Sequence, residues 1–291
     1  MSLPAKLARF VRKPPKEQWD IALSKVEYQL IEHGWRVPHR GNDKTIYLLG
    51  LYGTGRHYIN ELMLRHIGKR AQYFRDCSFH FPLHPGPTSM IYSGHSTMKY
   101  ESWGHRVPAV TARIVEAVKA GHADMIYIYR HPLDALLTNW FWLQTFGRDK
   151  YMTSGISQLY KRTDDLCAAL EENFLQFKAF AEGDPQCFPF LSPLRFMSFS
   201  EFVEETQLFL LQATLSLRIE DCVSDPSKEF LRIAELMALD DGLNLAAIPS
   251  PATKAYRFLQ LKEKVPRFQE FIYGLSQETK SRIEKLGYQL D

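Results

Sequence analysis

Short apolar runs alternate with stretches of helical periodicity along this 291-residue chain. Thr45-Ile-Tyr-Leu-Leu49 is bounded by Gly50, the pattern of a short buried strand. Glycines follow at 50, 53 and 55, and Tyr58–Ile67 then sets Ile59, Leu62, Met63 and His66 at helical spacing before Gly68. The order is strand, glycine turn, helix. Residues 76–108 are rich in Pro, His, Ser and Gly and read mostly as loops. Ala109–Ala120 is helical and stops at Gly121, Met125–Tyr129 is a second buried strand, and Pro132 suits the first turn of another helix. Asp164–Glu182 gathers Leu166, Leu170, Phe174 and Phe177 on one helical face, and Gly183–Pro193, with three prolines, is a loop. Leu215–Ile219 is a third strand, Glu220–Pro226 turns into a helix through Met237, and Ser276–Leu286 is a helix with Ser276 as its N-cap. Strands alternating with helices imply a parallel sheet covered on both faces.

The pattern divides the chain in two. Residues 1–43 read as an extension, made of a basic arm, a helical stretch around Trp19–His33 and a polar loop at His39–Asp43; residues 44–291 form one α/β domain. Hydrophobic residues at 45% and charged residues at 24% exclude a disordered or collagen-like chain. No apolar run approaches the ~18 residues of a membrane helix, and the basic N-terminus lacks the apolar core of a secretory signal. Cys77, Cys167, Cys187 and Cys222 are scattered without a Cys-x-x-Cys, which points to reduced thiols and a cytoplasmic location.

The net charge of +3 is unevenly placed. Residues 1–16 hold Lys6, Arg9, Arg12, Lys13 and Lys16 and no acid, leaving 31 basic against 33 acidic residues elsewhere. A nucleic-acid-binding body would carry a basic stripe through its fold, so nucleic acid is not an expected partner. The arm reads as a solvated charge run, with attachment to an anionic membrane surface, at its inner face, as the functional alternative.

Gly50–His57 reads Gly-Leu-Tyr-Gly-Thr-Gly-Arg-His. Its glycine spacing fits the phosphate loop Gly-x-x-x-x-Gly-Lys-Ser/Thr, but Arg56 stands at the Lys position and His57 at the hydroxyl position. Glycines let the backbone approach an anion, and the following helix turns its N–H groups and positive dipole end toward it. The hydroxyl that holds Mg²⁺ is lost. The motif therefore describes an anion cradle that needs no metal, against the plainer reading of a tight turn. A dinucleotide-binding reading has Gly53 and Gly55, but Tyr58 stands where close packing wants glycine, although Asp76 lies at about the expected ~20-residue spacing.

The second strand ends at Arg130, followed by His131-Pro132-Leu-Asp134 and a helix carrying Thr138. An arginine at a strand's C-terminal edge sits where open α/β sheets bind ligands, and its guanidinium can fork two phosphate oxygens. Thr138 can donate a hydroxyl to the same group, and Asp134 reads as a cap of the helix end.

Together the two motifs resemble the cytosolic and Golgi-type sulfotransferases that use 3′-phosphoadenylyl sulfate. In that family a Pro-Lys/Arg-Ser-Gly-Thr-Thr-Trp segment holds the 5′-phosphosulfate, and a strand ending in Arg, then Asn-Pro-x-Asp, with Ser eight residues after the Arg, holds the 3′-phosphate. Laid on this sequence, the first becomes Tyr52-Gly53-Thr54-Gly55-Arg56-His57-Tyr58, and the second Arg130-His131-Pro132-Leu133-Asp134 with Thr138 at the Ser position. Leu217-Arg218-Ile219-Glu220-Asp221 with Asp225-Pro226 is similar to the family's Arg-Tyr-Glu-Asp-Leu strand, and Leu286-Gly287-Tyr288 to its ending. The resemblance spans about residues 45–290 and implies a P-loop nucleotide-kinase-like three-layer sandwich with a central parallel sheet. It also implies 3′-phosphoadenylyl sulfate as co-substrate without a metal, and a hydroxyl acceptor; the aromatic cluster, the Pro/His-rich loop and the basic arm lean toward a carbohydrate or glycolipid.

Two departures stand out. The family's loop cation is Gly53 here, and Arg56, replacing a Thr, is placed to supply that charge from the other end of the loop. The resemblance also implies a C-terminal basic loop that helps hold the 3′-phosphate, a part for which Lys254 and Arg257 are the candidates. The acceptor's proton needs a base, His in cytosolic members and Glu in several carbohydrate and tyrosine members. His95, in Tyr92-Ser-Gly-His95-Ser-Thr between the donor motifs, is the candidate, with Glu101 and His105 behind it. Cys77-x-x-His80-x-x-x-His84 has some metal-like spacing, but Pro82 breaks a helix and no fourth ligand follows, so it reads as a loop over the site. Trp140-Phe-Trp142 is either a sugar-stacking surface or core. Two rivals remain: a metal-dependent phosphotransferase of the phosphate-loop type, and a catalytically degenerate protein that binds nucleotide or glycan.

Overall fold

Five parallel strands form the centre of the structure, a computed structural model that describes residues 45–66, 72–74, 90–100, 108–146, 163–188, 195–237 and 257–290. The strands are β1 (Thr45–Gly50), β2 (Gln72–Phe74), β3 (Met90–Gly94), β4 (Ala123–Tyr129) and β5 (Leu215–Arg218), ordered β2-β3-β1-β4-β5. β1 is central: Leu48 stands beside Ser93 on one side and Ile126 on the other. The helices are α1 (Arg56–His66), α2 (Pro108–Lys119), α3 (Pro132–Phe146), α4 (Thr163–Glu172), α5 (Phe174–Ala181) and α6 (Phe199–Leu210). They continue as α7 (Ile219–Ser224), α8 (Pro226–Leu236), α9 (Arg257–Lys264), α10 (Pro266–Tyr273) and α11 (Gln277–Lys285).

The period-two alternation of a strand sorts the core into layers. Ile46 and Leu48 of β1, Ile126 and Ile128 of β4 and Leu217 of β5 cluster with Ile59, Leu62 and Met63 of α1 and with Phe230 and Ile233 of α8. Tyr47, Leu49, Met125 and Tyr127 belong to the opposite cluster, with Val110 and Ile114 of α2 and Phe202 and Phe209 of α6. Because both faces are covered, the central strands β1 and β4 read as nearly continuous apolar runs. A third cluster joins α3 to α4, α5, α9, α10 and α11 around Trp140, Phe177 and Phe268. This is the three-layer α/β sandwich that the sequence implies.

Three local expectations change. Met90–Gly94, inside the stretch read mostly as loops, is strand β3, and it carries His95 immediately beyond its end. The single helix expected over 164–182 is two, because Asn173 leaves helical dihedrals (φ −113°, ψ 24°) and its side-chain amide donates to Ala169 O at 2.9 Å. Ile219 begins α7 instead of ending β5. The Ser276 N-cap is as expected, its hydroxyl accepting from Thr279 N–H. Among the described residues, no helix is long and apolar enough to cross a membrane.

Candidate functional site

The glycine turn joins β1 to α1 at the C-terminal edge of the sheet. Gly53 and Gly55 hold φ of +80° and +87°, values that side-chain-bearing residues rarely adopt. A Cβ on Gly53 would lie 2.4 Å from Ala135 O in the first turn of α3, and one on Gly55 would lie 2.8 Å from the Ile219 side chain. The turn is thus wedged between α3 and α7. The buried Thr54 turns its hydroxyl back to Leu51 O at 2.7 Å, and Tyr58 N–H closes the first turn onto Gly55 O at 3.0 Å. Burial of Tyr58 pushes its phenol up to about 12, with the nearby Cys222 adding to the shift. α1 starts at Arg56, so its first backbone N–H groups lack intrahelical partners, as at any helix start.

Arg130 follows β4 directly and meets this turn. Its Nη1 lies 3.5 Å from Gly53 O and 3.4 Å from Thr138 Oγ1, and Nη2 lies 3.5 Å from Asp134 Oδ2. The residue is 3% exposed, and its Nε has no hydrogen-bond partner among the described residues. The two motifs that the sequence singles out, some 80 residues apart, therefore share one place.

Asp134 lies in the first turn of α3, where an acid suits the helix dipole as expected, and it makes a longer tie as well. Its Oδ1 accepts from Phe258 N–H at 3.0 Å while the other oxygen faces Arg130, so it ties the start of α9 to the arginine. His131 also serves the start of α3: its Nδ1 accepts from Leu133 N–H at 3.2 Å. That bond leaves the hydrogen on Nε2, which donates to Gln289 O at 3.2 Å. The ring stacks on Phe258 and meets the edge of Tyr288, and burial pushes its pKa down to about 4. Glu220, after β5, accepts from His131 N–H at 2.8 Å and from Tyr288 O–H at 3.0 Å, fastening the C-terminal residues to the strand edge beside Arg130.

On the other side of the turn, Arg56 points toward β3. The arginine is 2% exposed; Nη1 donates to Ser93 Oγ at 2.6 Å and Nη2 to His95 Nε2 at 3.0 Å. Ser93 in turn donates to Asn60 Oδ1 at 2.7 Å, and His95 Nδ1 donates to Gly50 O at 2.9 Å. Tyr52 lies flat on His95, ring centroids 3.9 Å apart, and Trp142 stacks behind Tyr52 at 6.0 Å. Trp140, by contrast, is wholly buried in the core.

The segment after His95 is held by α6. The buried carboxylate of Glu205 accepts from the backbone N–H of Met98, Lys99 and Tyr100 at 2.7, 2.6 and 2.7 Å. Burial raises the Glu205 pKa against the opposing pull of these three amides. Glu205, Ser93 and Asn60 escape a motif reading. The signal for α6 was present in the capping box of Ser198 and Glu201, but nothing in the sequence aims Glu205 at a loop 105 residues earlier.

Arg257 opens α9 next to Phe258, and His57 lies in the first turn of α1; only their backbones are described. Lys254, Glu101, His105, Asp76, the Cys77–His84 group and residues 1–43 lie outside the described residues.

Among solved structures, the chain is similar to mouse sulfotransferase SULT7A1 complexed with PAP, at 14% identity over 90% of each chain, with a TM-score of 0.47. No family model matches the chain, and no curated protein matches it.

Proposed function

We propose that this chain is a sulfotransferase that moves a sulfuryl group from 3′-phosphoadenylyl sulfate to an acceptor hydroxyl. The observation that carries the reading is Arg130, buried at the end of β4, with Gly53 O and Thr138 Oγ1 within 3.5 Å. It sits where one nucleotide could be held at both of its phosphates. The turn's amides and the dipole of α1 take the 5′-phosphosulfate, and Arg130 with Thr138 takes the 3′-phosphate through a charge-assisted fork. Lys254 and Arg257 add charge to the 3′ side. With His57 in place of the Mg²⁺-binding hydroxyl, the reading needs no divalent ion.

In the reaction, the acceptor oxygen bonds to sulfur as the bond from sulfur to the bridging phosphate oxygen breaks. The electron pair stays on the departing 3′,5′-adenosine bisphosphate, where Arg56 and the loop amides balance it. The acceptor's proton goes to His95. Holding both phosphates fixes the sulfur in line with the acceptor. The aromatic group of Tyr52 and Trp142 beside His95 supports a carbohydrate or glycolipid acceptor, and the basic arm of residues 1–16 supports work at the cytoplasmic face of a membrane.

Calorimetric titration in EDTA tests the donor. Arg130→Ala is expected to weaken binding of 3′,5′-adenosine bisphosphate by about 100-fold, as for a lost charged hydrogen-bond pair, while AMP binding changes little. Equal losses for both nucleotides, or binding only of ATP with Mg²⁺, would refute the assignment. Gly53 favours a second reading, a protein that binds the donor without turning it over, because Ala135 O leaves no room for a cation-bearing side chain there. Transfer of radiolabelled sulfate to any member of a sugar and glycolipid panel separates the two.

A further inference from the structure

We infer that Arg56 masks His95 before nucleotide binds, and that donor binding unmasks it. The inference rests on the proposed sulfotransferase reading and concerns the order in which its parts become competent.

A guanidinium only donates, so the 3.0 Å contact from Arg56 Nη2 requires an unprotonated His95 Nε2. The Nδ1 hydrogen is committed to Gly50 O. The imidazole's one basic nitrogen therefore already holds a hydrogen bond, and a base must aim that lone pair at the acceptor hydroxyl. Both ring nitrogens of His95 are thus engaged, Nε2 by Arg56 and Nδ1 by Gly50 O.

The occupant has a built berth. Ser93 gives its single hydroxyl hydrogen to Asn60 Oδ1 and so turns its lone pairs to Arg56 Nη1. Asn60 and Ser93 act as positioning residues, oriented to receive a cation. Arg56 is also the first residue of α1, directly after the glycine turn, so its backbone borders the place assigned to the 5′-phosphosulfate. A phosphate is a far stronger partner for a guanidinium than a hydroxyl and a neutral imidazole. When the donor enters, the guanidinium turns from Ser93 and His95 to the phosphate. One movement then delivers the charge that the leaving group needs and releases Nε2 to take the acceptor's proton. The acceptor is activated only when a sulfuryl group is present to receive it.

Nitrogen-15 NMR of histidine-labelled protein, with His95→Gln for assignment, reads the nitrogen directly, and ethoxyformylation reads its reactivity. Before ligand, His95 Nε2 is expected as an unprotonated, hydrogen-bonded nitrogen that modifies slowly. Saturating 3′,5′-adenosine bisphosphate in EDTA is expected to shift its resonance and raise its modification rate about tenfold or more, the equivalent of one charged hydrogen bond exchanged. Ser93→Ala, which weakens the berth, is expected to raise the rate without nucleotide. Nucleotide binding by calorimetry with the His95 resonance and reactivity unchanged overturns this inference and leaves the sulfotransferase reading standing. Absence of nucleotide binding overturns both.

Discussion

Gly53 O lies 3.5 Å from Arg130 Nη1, and the same glycine presses against Ala135 O so closely that a methyl group would sit 2.4 Å away. One residue therefore sets both the reach of the arginine and the distance between turn and helix. Gly55, two residues on, faces the side chain of Ile219, whose Cγ1 and Cδ1 would lie 2.8 Å from an added methyl group.

These two neighbours give a sharp comparison. Both alanine substitutions carry the penalty of a positive φ, about 1–2 kcal/mol, but at Gly55 the obstacle is a side chain 2.8 Å away, whereas at Gly53 it is a helix backbone oxygen 2.4 Å away that yields less readily. Gly53→Ala is expected to cost at least 1 kcal/mol more than Gly55→Ala in urea unfolding, and to lose nucleotide binding. Equal costs would mean that the turn is not wedged against α3.

Glu205 supplies the second test. Glu205→Ala strips the acceptor from three backbone amides and is expected to destabilise the fold by about 3 kcal/mol or more. Hydrogen exchange at Met98, Lys99 and Tyr100 should rise in step. Glu205→Gln keeps one acceptor oxygen and should recover part of the loss.

His131 gives stability a pH dependence of known sign. Its pKa falls from 6.5 to about 4 on folding, so the unfolded chain binds the proton more readily. Its contribution is complete above pH 6.5 and is lost as the pH falls toward 4, up to about 3 kcal/mol. His131→Asn preserves an acceptor for Leu133 N–H and removes the titration. The difference between wild-type and variant unfolding free energies should therefore change across that window and level off below it.

Tyr288 tests the fastening of the C-terminal residues. Tyr288→Phe removes the hydroxyl from Glu220 while keeping the ring against His131 and Arg218. A loss of about 1–2 kcal/mol in thermal or urea unfolding is expected, because Glu220 keeps His131 N–H as a partner.

Much of this was legible in the residues. β1, the glycine turn and β4 announce themselves because a strand buried on both faces must be apolar throughout and a positive φ selects glycine. β3 did not, because Ser93 and Gly94 interrupt its apolar run; Ser93 is polar because it receives Arg56. Asp134 sits in the first turn of α3 as its position implies, but its bond to Phe258 N–H could not be read, because that partner lies 124 residues away. Local pattern reaches as far as local hydrogen bonds reach, and the partners of Glu205, Glu220 and Asp134 are distant in sequence.

The central position of β1 also shapes how the chain comes into being. During synthesis, Thr45–Gly50 leaves the ribosome before either of its flanking strands, and its pairing is complete only once residues as far as Ile128 have emerged. Until then an apolar ribbon is exposed with at least one open edge, a target for self-association. Chaperone demand should accordingly peak early in translation and decline once β4 has docked.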